Sequence, residues 1–289
     1  MNSIGGYVPQ RPIIQIKTKR GFTLNAFKDD SITNEILKKG EYETNTLNSL
    51  DDILKKIKPN VSLDVGANIG NHALVIAKHS KKLIAFEPVK FIFDVLQSNF
   101  KVNNLRHAQA FNYGLSDQAA QQNFFIASNG NLGSSSLETS NVQTESILIE
   151  TVKGDVFIGN EDISGIDFIK MDVEGHEAKA LQGLTEVIHK NQPLILLEWN
   201  NEKTINAFAE LDLINLIFSG YKTYSLSYTY NKKVYPRNLM GFFKRVYSRW
   251  FDRTWCLSSF HQNKIYTNIY MVPMRYADYF NSLRYIDAD

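Results

Sequence analysis

Four ionisable side chains crowd into six positions at Asp172-Val-Glu-Gly-His-Glu177, immediately after the apolar run Ile166–Met171. Charges at the end of a buried strand are costly unless they have work to do. Carboxylates in such a cluster can hold a cation. An imidazole, about half neutral near pH 6.5, can accept a proton from an attacking hydroxyl. His176 is the candidate base, with Glu174 orienting it or binding an acceptor hydroxyl. Glu198, closing the run Leu194–Glu198, is expected in the same crevice. A competing reading has His176 capping the helix that starts there and Glu177 complementing its dipole. A metal reading also exists, because Asp172, Glu174 and His176 alternate as strand-end ligands would. Gly175 signals a turn that breaks the alternation, so a divalent metal is not expected.

A second constellation lies upstream. The apolar stretch Val61–Val65 runs into Asp64-Val-Gly-Ala-Asn-Ile-Gly-Asn71. Gly66 and Gly70 give backbone freedom and allow close approach to a ligand, with Ala67 and Asn68 between them. The next unit, Ile84-Ala-Phe-Glu87, ends in a carboxylate about 20 positions after the glycine turn, the spacing that serves a ribose diol. A glycine loop with a distal carboxylate reads as a nucleoside site. A dinucleotide would call for Gly-x-Gly-x-x-Gly, but Asn68 stands at the middle glycine, and Asp64 would repel a pyrophosphate. S-adenosylmethionine has a ribose, a sulfonium and an ammonium group and no phosphate, so the acidic lining favours it, with S-adenosylhomocysteine as product.

These residues need a scaffold. Ile13–Lys17 and Phe22–Phe27 alternate around Arg20-Gly21 as a hairpin, followed by helical stretches near Ser31–Lys39 and Thr46–Lys58. Strands are predicted at Val61–Val65, Lys82–Phe86, Gln109–Tyr113, Phe168–Met171, Leu194–Glu198, Tyr221–Ser227 and Asn268–Val272. Helices are predicted at His72–Lys78, Val89–Asn103, Glu177–His189 and Thr204–Phe218. Short apolar strands interleaved with helices give a doubly wound, mostly parallel α/β sheet covered on both faces. Residues 1–58 read as an N-terminal hairpin and helical extension packed on the domain formed by 59–289. Two insertions interrupt that domain. Residues 118–164 read as a β-hairpin around the turn Ser128–Ser136. Residues 231–264 form a long aromatic and basic connection that includes Tyr247, Arg249, Trp250, Phe251 and Trp255.

Composition narrows the partners. Among 289 residues, 32 Lys and Arg against 30 Asp and Glu leave a net charge of +2, which offers nucleic acid no general attraction. The single cysteine, Cys256, excludes an intrachain disulfide framework and a Cys-rich zinc site, and fits a cytoplasmic setting. Neither a secretory leader nor a run of about 18 apolar residues is visible.

The acidic cluster Lys170–Glu177, the Asp64–Asn71 loop, Ala85-Phe-Glu-Pro88, Gly114-Leu-Ser-Asp117, Gly133-Ser-Ser-Ser136 and Leu197-Glu198 closely resemble the FkbM-type methyltransferases. The resemblance is strong over Asp30–Ile195. It implies a Rossmann-like class I methyltransferase fold of seven strands with the last antiparallel, and methyl transfer to a hydroxyl. Carried over, Asp64, Gly66, Asn68, Gly70 and Asn71 hold the methionine end of the cofactor and Glu87 the ribose. Leu115 and Ser116 border the adenine, and Asp172 sits by the sulfonium. The resemblance favours a sugar or glycan acceptor. For 231–264, three occupants compete: a stacked sugar, an anionic membrane surface touched by 242–255, or core packing and a homodimer contact. His72 and the remaining histidines read as structural or surface residues. The competing functions are a nicotinamide-dependent oxidoreductase and a non-catalytic glycan-binding scaffold.

Overall fold

The computed structural model describes residues 11–126, 145–210, 219–230, 240 and 253–286. The turn at 128–136, residues 241–252 of the aromatic-basic connection and residues 211–218 of the expected Thr204–Phe218 helix lie outside them.

The chain opens with a hairpin of β1 (Ile13–Lys17) and β2 (Thr23–Phe27), then α1 (Ser31–Lys39) and α2 (Thr44–Ile57). Local chemistry fixes α1 at both ends. Asp30 accepts from the Ile32 amide at its start, and Gly40, at φ 81°, turns its own amide to the Ile36 carbonyl at its finish. The alternating β/α section follows: β3 (Val61–Val65), α3 (Asn71–His79), β4 (Lys82–Phe86), α4 (Lys90–Val102) and β5 (Ala108–Phe111). The inserted part contains β6 (Gly114–Ser116), β7 (Ala120–Ile126), β8 (Glu145–Lys153) and α5 (Gly154–Asn160). The core path resumes with β9 (Ile166–Met171), α6 (Glu177–Gln182), α7 (Thr185–Asn191), β10 (Leu194–Trp199) and α8 (Glu202–Glu210). It closes with β11 (Tyr221–Tyr230), β12 (Arg253–Ser259), β13 (Tyr266–Pro273), α9 (Ala277–Asn281) and β14 (Tyr285–Ile286).

Among the described residues, the main sheet has nine strands in the order β14-β12-β11-β13-β10-β9-β3-β4-β5. Neighbours from β10 to β5 run parallel, and β13 is antiparallel to both β10 and β11. Seven strands follow the expected path. β12 and β14 extend it beyond the seven, and β12 comes from the long connection that the sequence left without an element. Every residue of β3 is buried, as a central strand between two helical layers requires. The chain leaves β3 towards β4 and β5 on one side, then returns to β9 and β10 on the other. The β3/β9 boundary is therefore the switch point of the sheet.

β7 and β8 form the expected inserted hairpin, with Phe124 opposite Ile147. β6 joins them as a third strand parallel to β8, so the insertion is a small sheet of its own. The helix predicted over Glu177–His189 is two helices. Gly183 breaks it because the chain passes against β6 there: a Cβ on Gly183 would lie 1.9 Å from the Ser116 carbonyl oxygen. The N-terminal hairpin is stitched to α4 through Asn99 and Asn103. Asn99 Oδ1 accepts from the Asn25 amide, and its Nδ2 donates to Asn25 O (2.9 Å) and Ile69 O (2.7 Å). That second bond fixes a carbonyl of the glycine loop.

Candidate active site

The glycine loop bends back onto β4. The amides of Gly66 and Ala67 both donate to the Phe86 carbonyl at 3.0 Å. Gly66 sits at φ 77°, and a Cβ there would lie 1.9 Å from the Asp172 carbonyl oxygen, so only glycine lets β3 and β9 close at the switch point. Asn68 takes φ 50°, aiming its amide at Glu87 Oε2 (2.9 Å), while the Val89 amide donates to Oε1 (2.9 Å). Glu87 is thus locked at the strand end by two backbone donors. Burial pushes its carboxyl up to about 7, against the pull of those two amides. Ile92, Tyr113, Leu115 and Phe124 give the pocket beside it an apolar wall. The space these residues enclose is ≈ 1040 Å³ with its open mouth included.

One strand away the carboxylates gather. Single oxygen atoms of Asp172, Glu174 and Glu198 lie within 4.8 Å of one another. Lys170, itself buried, reaches Asp172 Oδ2 at 3.0 Å and Asp64 Oδ1 at 3.7 Å. Burial would raise the Asp172 carboxyl, but the Lys170 ammonium outweighs it and holds the group below its ordinary range. The other two go the opposite way. Burial and the neighbouring Asp172 charge push Glu174 up to about 8 and Glu198 to about 11. Glu198 therefore keeps its proton at neutral pH, which suits a hydrogen-bond donor.

The turn that presents Glu174 is built by Glu177. Its Oε1 accepts from the amides of Val173 (3.0 Å) and Gly175 (3.2 Å), and its Oε2 from the Thr204 hydroxyl (2.8 Å). Glu174 and Gly175 both lie in the left-handed region, at φ 52° and 99°. His176 occupies the N-cap position of α6, yet its side chain makes no capping bond. The capping reading is corrected accordingly: the ring turns away, placing Nε2 3.0 Å from Ser116 Oγ, which donates to Asp117 Oδ1 at 2.9 Å.

Of the residues singled out in the sequence, Gly66, Ala67, Asn68, Asn71, Glu87, Leu115, Asp172, Glu174, His176 and Glu198 line this one pocket. Asp64, Gly70 and Ser116 do not. Asp64 is fully buried, 3.7 Å from the Lys170 ammonium, and neither oxygen accepts a hydrogen bond; burial outweighs Lys170 and pushes the Asp64 carboxyl up. Gly70, at φ 95°, turns its bare face to Leu96 of α4, where a Cβ would come within 2.8 Å, so it serves packing. Ser116 is buried beneath the pocket as the partner of His176. Lys170, Tyr42, Glu43 and His72 also line it. The sequence placed Lys170 inside the diagnostic motif without a role, and Tyr42 and Glu43 in an unremarkable connection between helices. His72, read there as structural or surface, is a buried pocket residue. The metal alternative changes members as well, since Glu198 replaces His176 in the cluster.

Comparison with known proteins decides the family. The methyltransferase FkbM domain matches residues 64–224, more than half of the chain and all of the site except its N-terminal wall. The chain belongs to the FkbM methyltransferase family. The domain match does not favour the oxidoreductase reading. Over 134 residues it is 35% identical to the hexuronic acid methyltransferase AglP of Haloferax volcanii; the match covers 43% of this chain and 50% of that protein. The chain therefore matches half the length of this curated relative. Similar solved structures include an FkbM methyltransferase of Methylobacillus flagellatus KT, at 16% identity and a TM-score of 0.43, covering 74% of this chain and 44% of that one. An O-methyltransferase of Bacillus cereus in complex with SAH aligns at 11% identity and a TM-score of 0.44, covering 84% of this chain and 90% of that one. Among the described residues, no helix of this FkbM family member is long and apolar enough to cross a membrane.

Proposed function

We propose that the chain transfers a methyl group from S-adenosylmethionine to a hydroxyl of a sugar or glycan, with a hexuronic acid as the first acceptor to test. One observation carries the reading: a single pocket at the switch point joins the buried Glu87, beside an apolar wall, to three converging carboxylates. S-adenosylmethionine supplies a methyl carbon made electrophilic by its sulfonium sulfur. Glu87 would hold the ribose hydroxyls, Leu115 and Tyr113 would flank the base, and Asp172 would lie beside the sulfonium. A sulfonium suits the Asp172 carboxylate, which is held in its charged form, whereas a pyrophosphate would be repelled by it. Residues 1–58 act in this reading as an extension of the same catalytic domain, and the buried, unpaired Cys256 agrees with a reducing, cytoplasmic setting.

An attacking alcohol must lose its proton. His176 is assigned to receive it, with Ser116 and Asp117 fixing the ring and Glu174 orienting the acceptor. His176→Gln is expected to lower kcat by about 10²–10⁴-fold while leaving S-adenosylhomocysteine affinity unchanged. A near-normal kcat at saturating acceptor would remove the assignment. The reading as a whole is tested by supplying methyl-labelled S-adenosylmethionine with sugars, nucleotide sugars and hexuronic acid-bearing glycans. Label is expected in a saccharide, as an ether that survives mild base. Label lost in mild base would mean a methyl ester on a carboxylate, and no label in any saccharide would discard the sugar acceptor.

A further inference from the structure

The pocket has a wall outside the matched domain. Tyr42 and Glu43, in the connection between α1 and α2, line it together with Asn71 and His72 from the first turn of α3. Glu43 is held in an unusual way. It takes the left-handed conformation, φ 52° and ψ 49°, at the start of α2, without using its carboxylate to cap that helix. A non-glycine residue there costs on the order of 1–3 kcal/mol, which the surroundings must offset. The strain turns the carboxylate instead towards His72, with Oε2 3.3 Å from Nε2. His72 is 8% exposed, and its Nε2 makes no aligned hydrogen bond. Two further bonds pin the connection in place: Asn71 Nδ2 donates to Tyr42 O (3.4 Å), and the Lys19 amide to Gly40 O (2.9 Å). Burial would raise the Glu43 carboxyl, but His72 beside it outweighs that and holds it below its ordinary range.

Position along the sheet edge says what this carboxylate faces. Glu87 ends β4 and Asp172 follows β9, with β3 and its loop between them. Asn71 and His72, at the start of α3, line the same pocket as Glu87 and Asp172, so the remainder of a ligand with its ribose at Glu87 and its sulfur at Asp172 has this wall within the pocket. In S-adenosylmethionine the remainder beyond the sulfur is an amino acid, with one ammonium and one carboxylate. The first turn of α3 has neither a side-chain cap nor an acidic residue, so its amides are open to the carboxylate. Building on the S-adenosylmethionine reading above, we propose that Glu43, positioned by His72, binds the ammonium group of the cofactor's amino-acid tail. The N-terminal extension thus completes a site that the matched domain leaves open on one side.

The test compares two nucleosides that differ only in this tail. S-adenosylhomocysteine has the amino acid; 5′-methylthioadenosine keeps the adenosine and thioether but ends in a methyl group. Calorimetric titrations of both into the unaltered chain and into Glu43→Gln and His72→Gln variants give four variant-to-parent ratios. Glu43→Gln is expected to weaken S-adenosylhomocysteine by roughly 10- to 100-fold, the range for a hydrogen bond to a charged group, and to change 5′-methylthioadenosine less than about twofold. His72→Gln is expected to act in the same direction with a smaller loss. Equal weakening of both nucleosides, or of neither, would overturn the proposal, and retained 5′-methylthioadenosine binding shows that each variant is folded. If neither nucleoside binds the unaltered chain, the cofactor reading itself falls. That outcome is distinct from normal binding of both with no selective effect at Glu43.

Discussion

Gly66→Ala is expected to abolish S-adenosylmethionine binding and to destabilise the fold by at least about 3 kcal/mol, read as the midpoint of thermal or urea unfolding. Two independent costs add at this position. The backbone lies at φ 77°, where an L-residue is strained, and the new methyl group would sit 1.9 Å from the Asp172 carbonyl oxygen. That oxygen is backbone and cannot swing aside. Relief requires β3 and β9 to part at the switch point, which breaks the bond from the Asp172 amide to Val65 O (3.0 Å) and disturbs the turn that presents Glu174. For a domain of this size each kcal/mol corresponds to roughly 2–4 °C in Tm, so the loss is measurable without ligand. An alanine variant with parental Tm and affinity would show that the strands have room to spare.

Glu87→Gln should leave the chain folded and weaken S-adenosylhomocysteine by roughly 100-fold. The substitution keeps the shape but removes the charge, and about 3 kcal/mol is what losing charge-assisted hydrogen bonds to two hydroxyls amounts to. The amide has a second effect. Both carboxylate oxygens already accept backbone donors, from Asn68 and Val89, and one of these would now meet an NH₂ group. One of the two backbone bonds that lock the side chain at the strand end would be lost. Retained affinity in Glu87→Gln would place the ribose elsewhere.

Much of this was legible before any coordinates. Buried strands such as Val61–Val65 and Lys82–Phe86 are short apolar runs closed by a glycine turn or a carboxylate, and periodicity fixes them. The acidic cluster could be found because ionisable residues rarely follow a buried strand without a task. What escaped depends on tertiary contacts. The break at Gly183 reflects the backbone of Ser116, 67 positions earlier, pressing on it. Asp64 is left out of the pocket, while Lys170, 3.7 Å from its Oδ1, lines it. β12 was hidden in aromatic text that reads equally as a surface segment. Glu43 and His72 carried no motif at all: their meaning lies in a 3.3 Å contact between a helix connection and the first turn of α3.

The account rests most heavily on Glu87 and the carboxylates around Asp172 forming one nucleoside-sulfonium pocket. The measurement that tests it most directly is a calorimetric titration of S-adenosylhomocysteine into the unaltered chain and into Glu87→Gln, at equal protein concentration. The expected result is saturable one-to-one binding by the parent and a loss of roughly 100-fold in the variant. Heat indistinguishable from dilution in the parent, or superimposable isotherms for the two proteins, would contradict it.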